Sequence, residues 1–196
     1  MFLAALAFAG CQSDETFTSD TRYTLELSDD TISVDTVLVS VRSASRQFRI
    51  YNPNGVGIRL SAVMAGGSSS SFSMNIDGRN SNTVTDLEIL PQDSIFGFIN
   101  VTPSTQDLPG GMPMALLRDS IILEMESGNT MVIQLNAMVQ NAIFLKKKTI
   151  SPDTVFTAEL PYVIYDTLRI APGATLSMAP GTRLLFHDKA GLQVQG

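Results

Sequence analysis

Four short apolar segments recur at a fixed interval of eight residues near the end of the chain. The leucines that open these segments are Leu168, Leu176, Leu184 and Leu192. Links of Ala-Pro-Gly at 171–173 and 179–181, and of Ala-Gly at 190–191, lie between them. This spacing predicts short strands with two inward side chains each and corners at Pro-Gly. The centre of each strand then faces outward, and Leu185 is the one apolar residue in that position.

Three strands of this repeat make one coil of about two dozen residues, so Leu192 is predicted to stack on Leu168. A constant coil length lets the apolar residues of successive coils share one interior, which a single coil cannot enclose alone. We therefore predict the start of a parallel β-helix over residues 150–196. A pair of antiparallel hairpins added to the preceding domain is the competing interpretation.

Residues 22–140 have the pattern of a β-sandwich. Apolar and polar residues alternate in short runs rich in β-branched residues, and the runs end at Asn, Asp, Gly or Pro. Seven to nine such strands, with no amphipathic helix between them, predict an immunoglobulin-like β-sandwich. The sequence SGNT at 127–130 predicts a tight hairpin turn. Residues 103–113 are predicted to be a surface loop, and 141–149 a linker to the β-helix.

The chain begins with ten apolar or small residues that end at Cys11, its single cysteine. A membrane-spanning helix needs about 20 such residues, so we interpret 1–10 as a lipoprotein signal peptide whose basic start is missing. The sequence FAGC at 8–11 resembles a bacterial lipobox, which implies cleavage before Cys11 and a diacylglycerol on its thiol. An ordinary secretory signal with an unmodified cysteine is the alternative. Residues 11–21 are polar and are interpreted as a tether.

Two further segments carry a resemblance to a known family. The sequence QSDE that follows Cys11 is similar to the acidic export tag of Bacteroidota surface lipoproteins. The segment YVIYDTLRIAPGATLSMAPGTRLLFHDKAGLQVQG, at 162–196, resembles the first coil of right-handed parallel β-helix lipoproteins of Bacteroidota. The earlier stretches FRIYNPN, SFSMNIDG and DSIFGFINV resemble the immunoglobulin-like domain that precedes the β-helix there. The resemblance implies an outer-membrane lipoprotein of the cell envelope, exposed at the surface, and it transfers no catalytic residue.

Charge and composition exclude several kinds of site. The formal net charge is −6 and no long basic run is present, which argues against a nucleic-acid partner because phosphate binding requires clustered Lys and Arg. One Cys and one His exclude an internal disulfide and Cys/His zinc sites, and no cofactor or metal is expected. His187, beside Asp188 and Lys189, has the chemistry of a general acid or base. Because no partner is evident in the sequence, we interpret these three residues as a solvated corner.

Carboxylates and lysines elsewhere have simple structural interpretations. The candidate calcium ligands are Asp29, Asp30, Asp35 and Asp93. They lack the spacing of an EF-hand, so turns and strand ends are the preferred interpretation. The run of three lysines at 146–148 is interpreted as part of the solvated linker.

The sequence therefore predicts a non-enzymatic, lipid-anchored cell-envelope protein that presents a β-sandwich and a β-helix for adhesion or glycan binding. Its predicted partners are the membrane, through Cys11, and a glycan or another surface protein. One alternative is a surface polysaccharide lyase or hydrolase whose catalytic coils lie beyond residue 196, and another is a small periplasmic binding module. An uncapped β-helix exposes strand edges, so we expect the chain to be a fragment that continues at both ends.

Overall fold

The computed structural model describes residues 16–195, which consist of strands, turns and short 3-10 segments. The 3-10 segments in this range are Gly67–Ser69, Thr105–Asp107 and Pro109–Gly111. Cys11 and the predicted signal peptide at 1–10 lie outside the described residues. The predicted all-β class is confirmed.

Ten strands of the described range form a β-sandwich. They are β1 Glu26–Leu27, β2 Thr31–Leu38, β3 Arg46–Tyr51, β4 Ile58–Met64, β5 Phe72–Ile76, β6 Arg79–Asn80, β7 Thr83–Ile89, β8 Ser94–Val101, β9 Met114–Met125 and β10 Thr130–Gln140. One sheet has the order β1-β3-β8-β5-β6 and is antiparallel. The other has the order β2-β10-β9-β4-β7, and within it β2 and β10 pair in parallel.

The inward side chains of both sheets form one apolar core. Strand β4 shows the pattern most plainly, since every second residue from Ile58 to Met64 is buried and those between are half-buried. The core includes Phe48 from β3 and Phe72 from β5, whose side chains are almost completely buried. The period-two pattern in the sequence is the one that a sheet with one face on a core requires.

Asn52 joins the ends of the two sheets. It follows β3, and its buried side-chain Nδ2 lies within 3.0 Å of the backbone oxygens of Val56, Ile89 and Leu90. Its Oδ1 accepts from the backbone N–H of Asn54 at 3.1 Å. One buried side chain thus satisfies several backbone groups that the ends of the strands leave unpaired.

Two connections singled out in the sequence have defined structures. The predicted hairpin turn at 127–130 joins β9 to β10, with Gly128 at φ 86°, a left-handed conformation that suits glycine. The predicted loop at 103–113 is fixed at its middle, because the side chain of Leu108 is buried against Val39 and Val139.

Six further strands follow the sandwich. They are β11 Ile143–Lys146, β12 Thr149–Ile150, β13 Thr154–Phe156, β14 Tyr162–Ile170, β15 Leu176–Met178 and β16 Leu184–Val194. Every pairing among these described strands is parallel. Strand β14 lies between β11 and β12 on one edge and β16 on the other, and β13 pairs with β15.

The register of these strands repeats along the chain. Tyr162 pairs with Leu184, which is 22 residues later, and Leu168 pairs with Leu192, which is 24 residues later. The second of these is the pair predicted from the eight-residue spacing. The interpretation of these segments as antiparallel hairpins is wrong, because β13–β15 and β14–β16 both pair in parallel.

The stretch 141–149, predicted to be a linker, carries paired strands. It contains all of β11 and the start of β12, and both pair with β14. The side chains of Ile143 and Leu145 pack against the apolar cluster of the parallel strands, and the lysines that follow obscured this alternation in the sequence. The boundary between the two units stays a prediction.

Gly97 provides a test of the sandwich core. It lies opposite Phe48 in the β3–β8 register, and a Cβ atom there would lie 2.1 Å from the buried Phe48 ring. Because the ring is enclosed by the core, we expect Gly97→Ala to lower the free energy of unfolding by about 1–3 kcal/mol in urea denaturation. Gly55→Ala is the control, since a Cβ at that position meets nothing within 4 Å. Equal losses in both variants would contradict this packing.

Candidate functional site

The described end of the predicted tether lies against the sandwich. Phe17 forms a parallel bridge with Gly57, and its ring centre lies 4.2 Å from the guanidinium carbon of Arg59. Nearby, the side chain of Arg22 donates to the carboxylate of Asp20 and lowers the pKa of that exposed carboxyl. No helix among residues 16–195 is long and apolar enough to cross a membrane.

The aspartates considered as calcium ligands make separate local contacts. Asp35 pairs with Arg46, and Oδ1 of Asp93 accepts from the backbone N–H of Ser94 at 2.7 Å. Asp29 accepts from the hydroxyl of Ser28 at 2.8 Å. Within residues 16–195 no group of three or more His, Cys, Asp or Glu side chains is placed to hold a metal ion.

His187 lies on a strand and not in a corner as predicted. It pairs with Tyr165 in the β14–β16 register, and the centres of the two rings are 4.6 Å apart. Tyr165 in turn lies beside Phe144 of β11, with 6.1 Å between ring centres. These rings come from three successive passes of the chain and stack on one another. This contact gives His187 a structural role in the parallel unit.

The corner itself begins one residue later and repeats in three passes. Lys147, Asp166 and Asp188 follow positions that are in register, and all three have left-handed φ values of 47°, 69° and 51°. The Nζ atom of Lys147 lies 3.6 Å from Oδ2 of Asp166, and both side chains are largely exposed. Such an exposed pair contributes little stability, so the repeated backbone conformation is the informative feature.

Leu185 continues an apolar column on the outer side of the same parallel sheet. It pairs with Val163, which pairs with Phe144 on its other edge. Phe144 and Leu185 are exposed, while Val163 between them is only 4% exposed. The apolar exception in the sequence repeat is therefore a neighbour of two other apolar side chains.

A second set of exposed rings lies on the outer face of the sandwich. Phe96 and Phe98 belong to β8, the central strand of its sheet, and alternate with core residues of the same strand. They are 37% and 39% exposed. The guanidinium carbon of Arg49 lies 4.0 Å from the centre of the Phe96 ring. Large apolar side chains in a row on an outer face indicate a contact surface.

Polar side chains flank these rings. In the registers of β3–β8 and β5–β8, Gln47 and Asn75 are the two neighbours of Phe98. An open depression of about 530 Å³ lies at the Tyr51 end of β3 and is bordered by Glu26, Gln92 and Asp93 among others. The surface thus combines ring faces with amide and carboxylate groups, which can contact apolar patches and hydroxyl groups of one ligand. Sequence reasoning did not identify this surface.

Comparisons with known proteins give fold likenesses at low identity. No family model matches the chain, and no curated protein matches it. A family 123 glycoside hydrolase from Clostridium perfringens is similar with a TM-score of 0.44 and 8% identity, over 63% of this chain and 30% of that one. A protein of unknown function from Porphyromonas gingivalis W83 gives 0.42 and 14%, over 66% and 50%. The periplasmic chaperone SfaE gives 0.37 and 7%, over 60% and 58%. The aligned regions span less than two thirds of these proteins, and such scores carry no functional argument.

The repeated corner generates a test with opposite signs at adjacent residues. Lys147 has a left-handed φ, which costs a non-glycine residue about 1–2 kcal/mol, whereas Lys148 does not. We expect Lys147→Gly to raise the free energy of unfolding by about 0.5–1 kcal/mol and Lys148→Gly to lower it by about the same amount. Thermal unfolding followed by circular dichroism measures both. Destabilisation of similar size in the two variants would show that the corner is placed elsewhere.

Proposed function

We propose that the protein is a non-enzymatic, lipid-anchored protein of the cell envelope, exposed at the outer-membrane surface. In this proposal an immunoglobulin-like sandwich carries the first coils of a right-handed parallel β-helix, and the two units present surfaces for adhesion or glycan binding. The observation that carries the proposal is the parallel register in which Leu192 lies beside Leu168. Stacked coils of constant length display their outward side chains in columns on a long surface.

Burial inside the parallel unit supports the β-helix. Ile164 and Leu168 of β14 are completely buried, and Tyr162 stacks on Phe156 with ring centres 3.9 Å apart. The hydroxyl of Tyr162 accepts the backbone N–H of Thr157 at 3.0 Å, so its one polar atom is satisfied. An interior of this kind requires that the faces of each coil turn toward one centre.

The Pro-Gly corners support the same architecture. Gly173 and Gly181 have φ values of 77° and 85°, each directly after a proline. The backbone N–H of Ala174 donates to the oxygen of Ala171, and the N–H of Thr182 donates to that of Ala179. Proline followed by a left-handed glycine, closed by this hydrogen bond, is the pattern of a type II turn. Two equal turns eight residues apart redirect the chain at equal intervals.

The anchoring half of the proposal depends on Cys11 and its neighbours. A lipid-modified cysteine at a new N-terminus carries more than one acyl chain, and two or more chains hold a protein stably on a membrane. The polar residues that follow provide the spacing between the membrane and the first strand. The sandwich then acts as a stalk beneath the β-helix.

The anchor is tested by metabolic labelling of the protein expressed from its native locus. With radiolabelled palmitate, we expect the protein to be labelled and Cys11→Ala to lose the label, because the thiol is the acceptor of the diacylglycerol. Ser13→Ala changes a nearby polar residue and should keep the label. If Cys11→Ala is still labelled, the lipid-anchor proposal is wrong.

A further inference from the structure

We propose that the outer face of the sandwich holds a binding site for a neutral oligosaccharide, on an aromatic platform formed by Phe98, Phe96 and Tyr51. This inference rests on the glycan-binding part of the proposed function and deepens it, because it names the ligand class and the residues. The platform lies on β8 and β3, away from the parallel strands β11–β16.

The sheet holds the three rings in a fixed row. Phe98 and Phe96 are two residues apart on β8, and Tyr51 lies opposite Ser94, two residues further along the same direction. Successive outward residues of a strand are about 6.6–6.8 Å apart, so the row extends over about 13 Å. Both strands are paired on each edge within this sheet, which limits the movement of the rings. A long, preformed apolar strip suits an extended ligand better than a compact one.

The rings have the right surface for one side of a sugar. A pyranose carries C–H groups on its flat faces and hydroxyl groups around its edge, so it can place an apolar face on an aromatic ring. Exposed apolar area in the free protein is then covered, which is the source of affinity. The exposed fractions of Phe96 and Phe98 leave that area accessible.

The groups around the rings match the edge of a sugar. Gln47 and Asn75 flank Phe98 on the two neighbouring strands. Their amides contain donors and acceptors, as hydroxyl groups do, so either partner can reverse its role in a hydrogen bond. Arg49, stacked on Phe96, adds a cluster of donors at the next position.

Charge at the other end of the row selects against anionic ligands. The depression next to Tyr51 is bordered by the carboxyl groups of Glu26 and Asp93 and by Gln92. Carboxylates accept hydrogen bonds from hydroxyl groups but repel uronic acids, sulfate and phosphate. A neutral chain of pyranoses satisfies the rings, the amides and the carboxylates together.

Calorimetric titration of the purified full chain tests this site. The probes are cellohexaose, laminarihexaose and mannohexaose, with polygalacturonate as the anionic comparison. We expect at least one neutral hexaose to bind and Phe98→Ala to weaken it about tenfold or more, since one aromatic contact is removed. Phe144→Ala is the matched control, because Phe144 is equally exposed, at 38%, but lies on β11.

A conservative variant separates ring contact from misfolding. The chain contains no tryptophan, so Phe98→Trp introduces a single fluorescent reporter into the platform. We expect this variant to bind the same hexaose and to change its emission on binding.

The outcomes are distinct. If a neutral hexaose binds equally well to Phe98→Ala and to the unmodified chain, the platform assignment is wrong while glycan binding by the protein stands. If none of the neutral hexaoses binds, or only polygalacturonate does, the neutral-glycan inference is overturned. If Phe144→Ala weakens binding as much as Phe98→Ala does, the site belongs to the parallel unit or the effect is non-specific, and the platform assignment fails.

Discussion

Strand β14 is hydrogen-bonded along both edges, and the arrangement of the parallel unit depends on this double pairing. Strands β11 and β12 pair with one edge and β16 with the other. Since parallel pairing fixes register, an inward residue on one pass must have an inward residue at the matching position on the next. The completely buried side chains of Ile164 and Leu168 follow from this match. The stacked rings of Tyr165 and His187, the repeated left-handed corner and the outer apolar column follow from it as well.

The sandwich solves a different problem, which is to hold a rigid outer surface. Its core contains side chains from both sheets, and the buried amide of Asn52 joins their ends. Gly97 on the inner side of β8 gives the Phe48 ring its place, while Phe96 and Phe98 on either side of it face outward. Strand β8 is therefore apolar on both faces, one for the core and one for the proposed ligand.

The sequence allowed the period and the register of the parallel strands to be predicted, because the spacing of the leucines is regular and the corners contain Pro-Gly. It did not show β11 and β12, since the lysines at 146–148 interrupt the apolar alternation and only Ile143 and Leu145 point to a strand. The parallel pairing of β2 with β10 was also beyond prediction. A strand pattern tells which face is apolar and does not name the neighbour.

The candidate site was missed for a related reason. In the sequence SIFGFINV the isoleucines supply the core face, and we treated the whole run as one buried strand. The signal was present in Phe96 and Phe98, which are large apolar residues on the face that an antiparallel sandwich usually leaves polar. Their polar neighbours lie on β3 and β5, more than 20 residues away in the chain, so only the fold brings the site together.

The proposed β-helix is tested most directly by disulfide cross-linking in a Cys11→Ala background. Arg169 and Gln193 are register partners with exposed side chains, and neighbouring strands lie about 4.8 Å apart, within the range for a disulfide. Antiparallel hairpins would instead place Arg169 opposite Ser177, across Gly173. Stacked parallel coils predict that Arg169→Cys/Gln193→Cys forms a cross-link on mild oxidation and that Arg169→Cys/Ser177→Cys does not. Cross-linking of the second pair and not of the first would contradict the parallel coils.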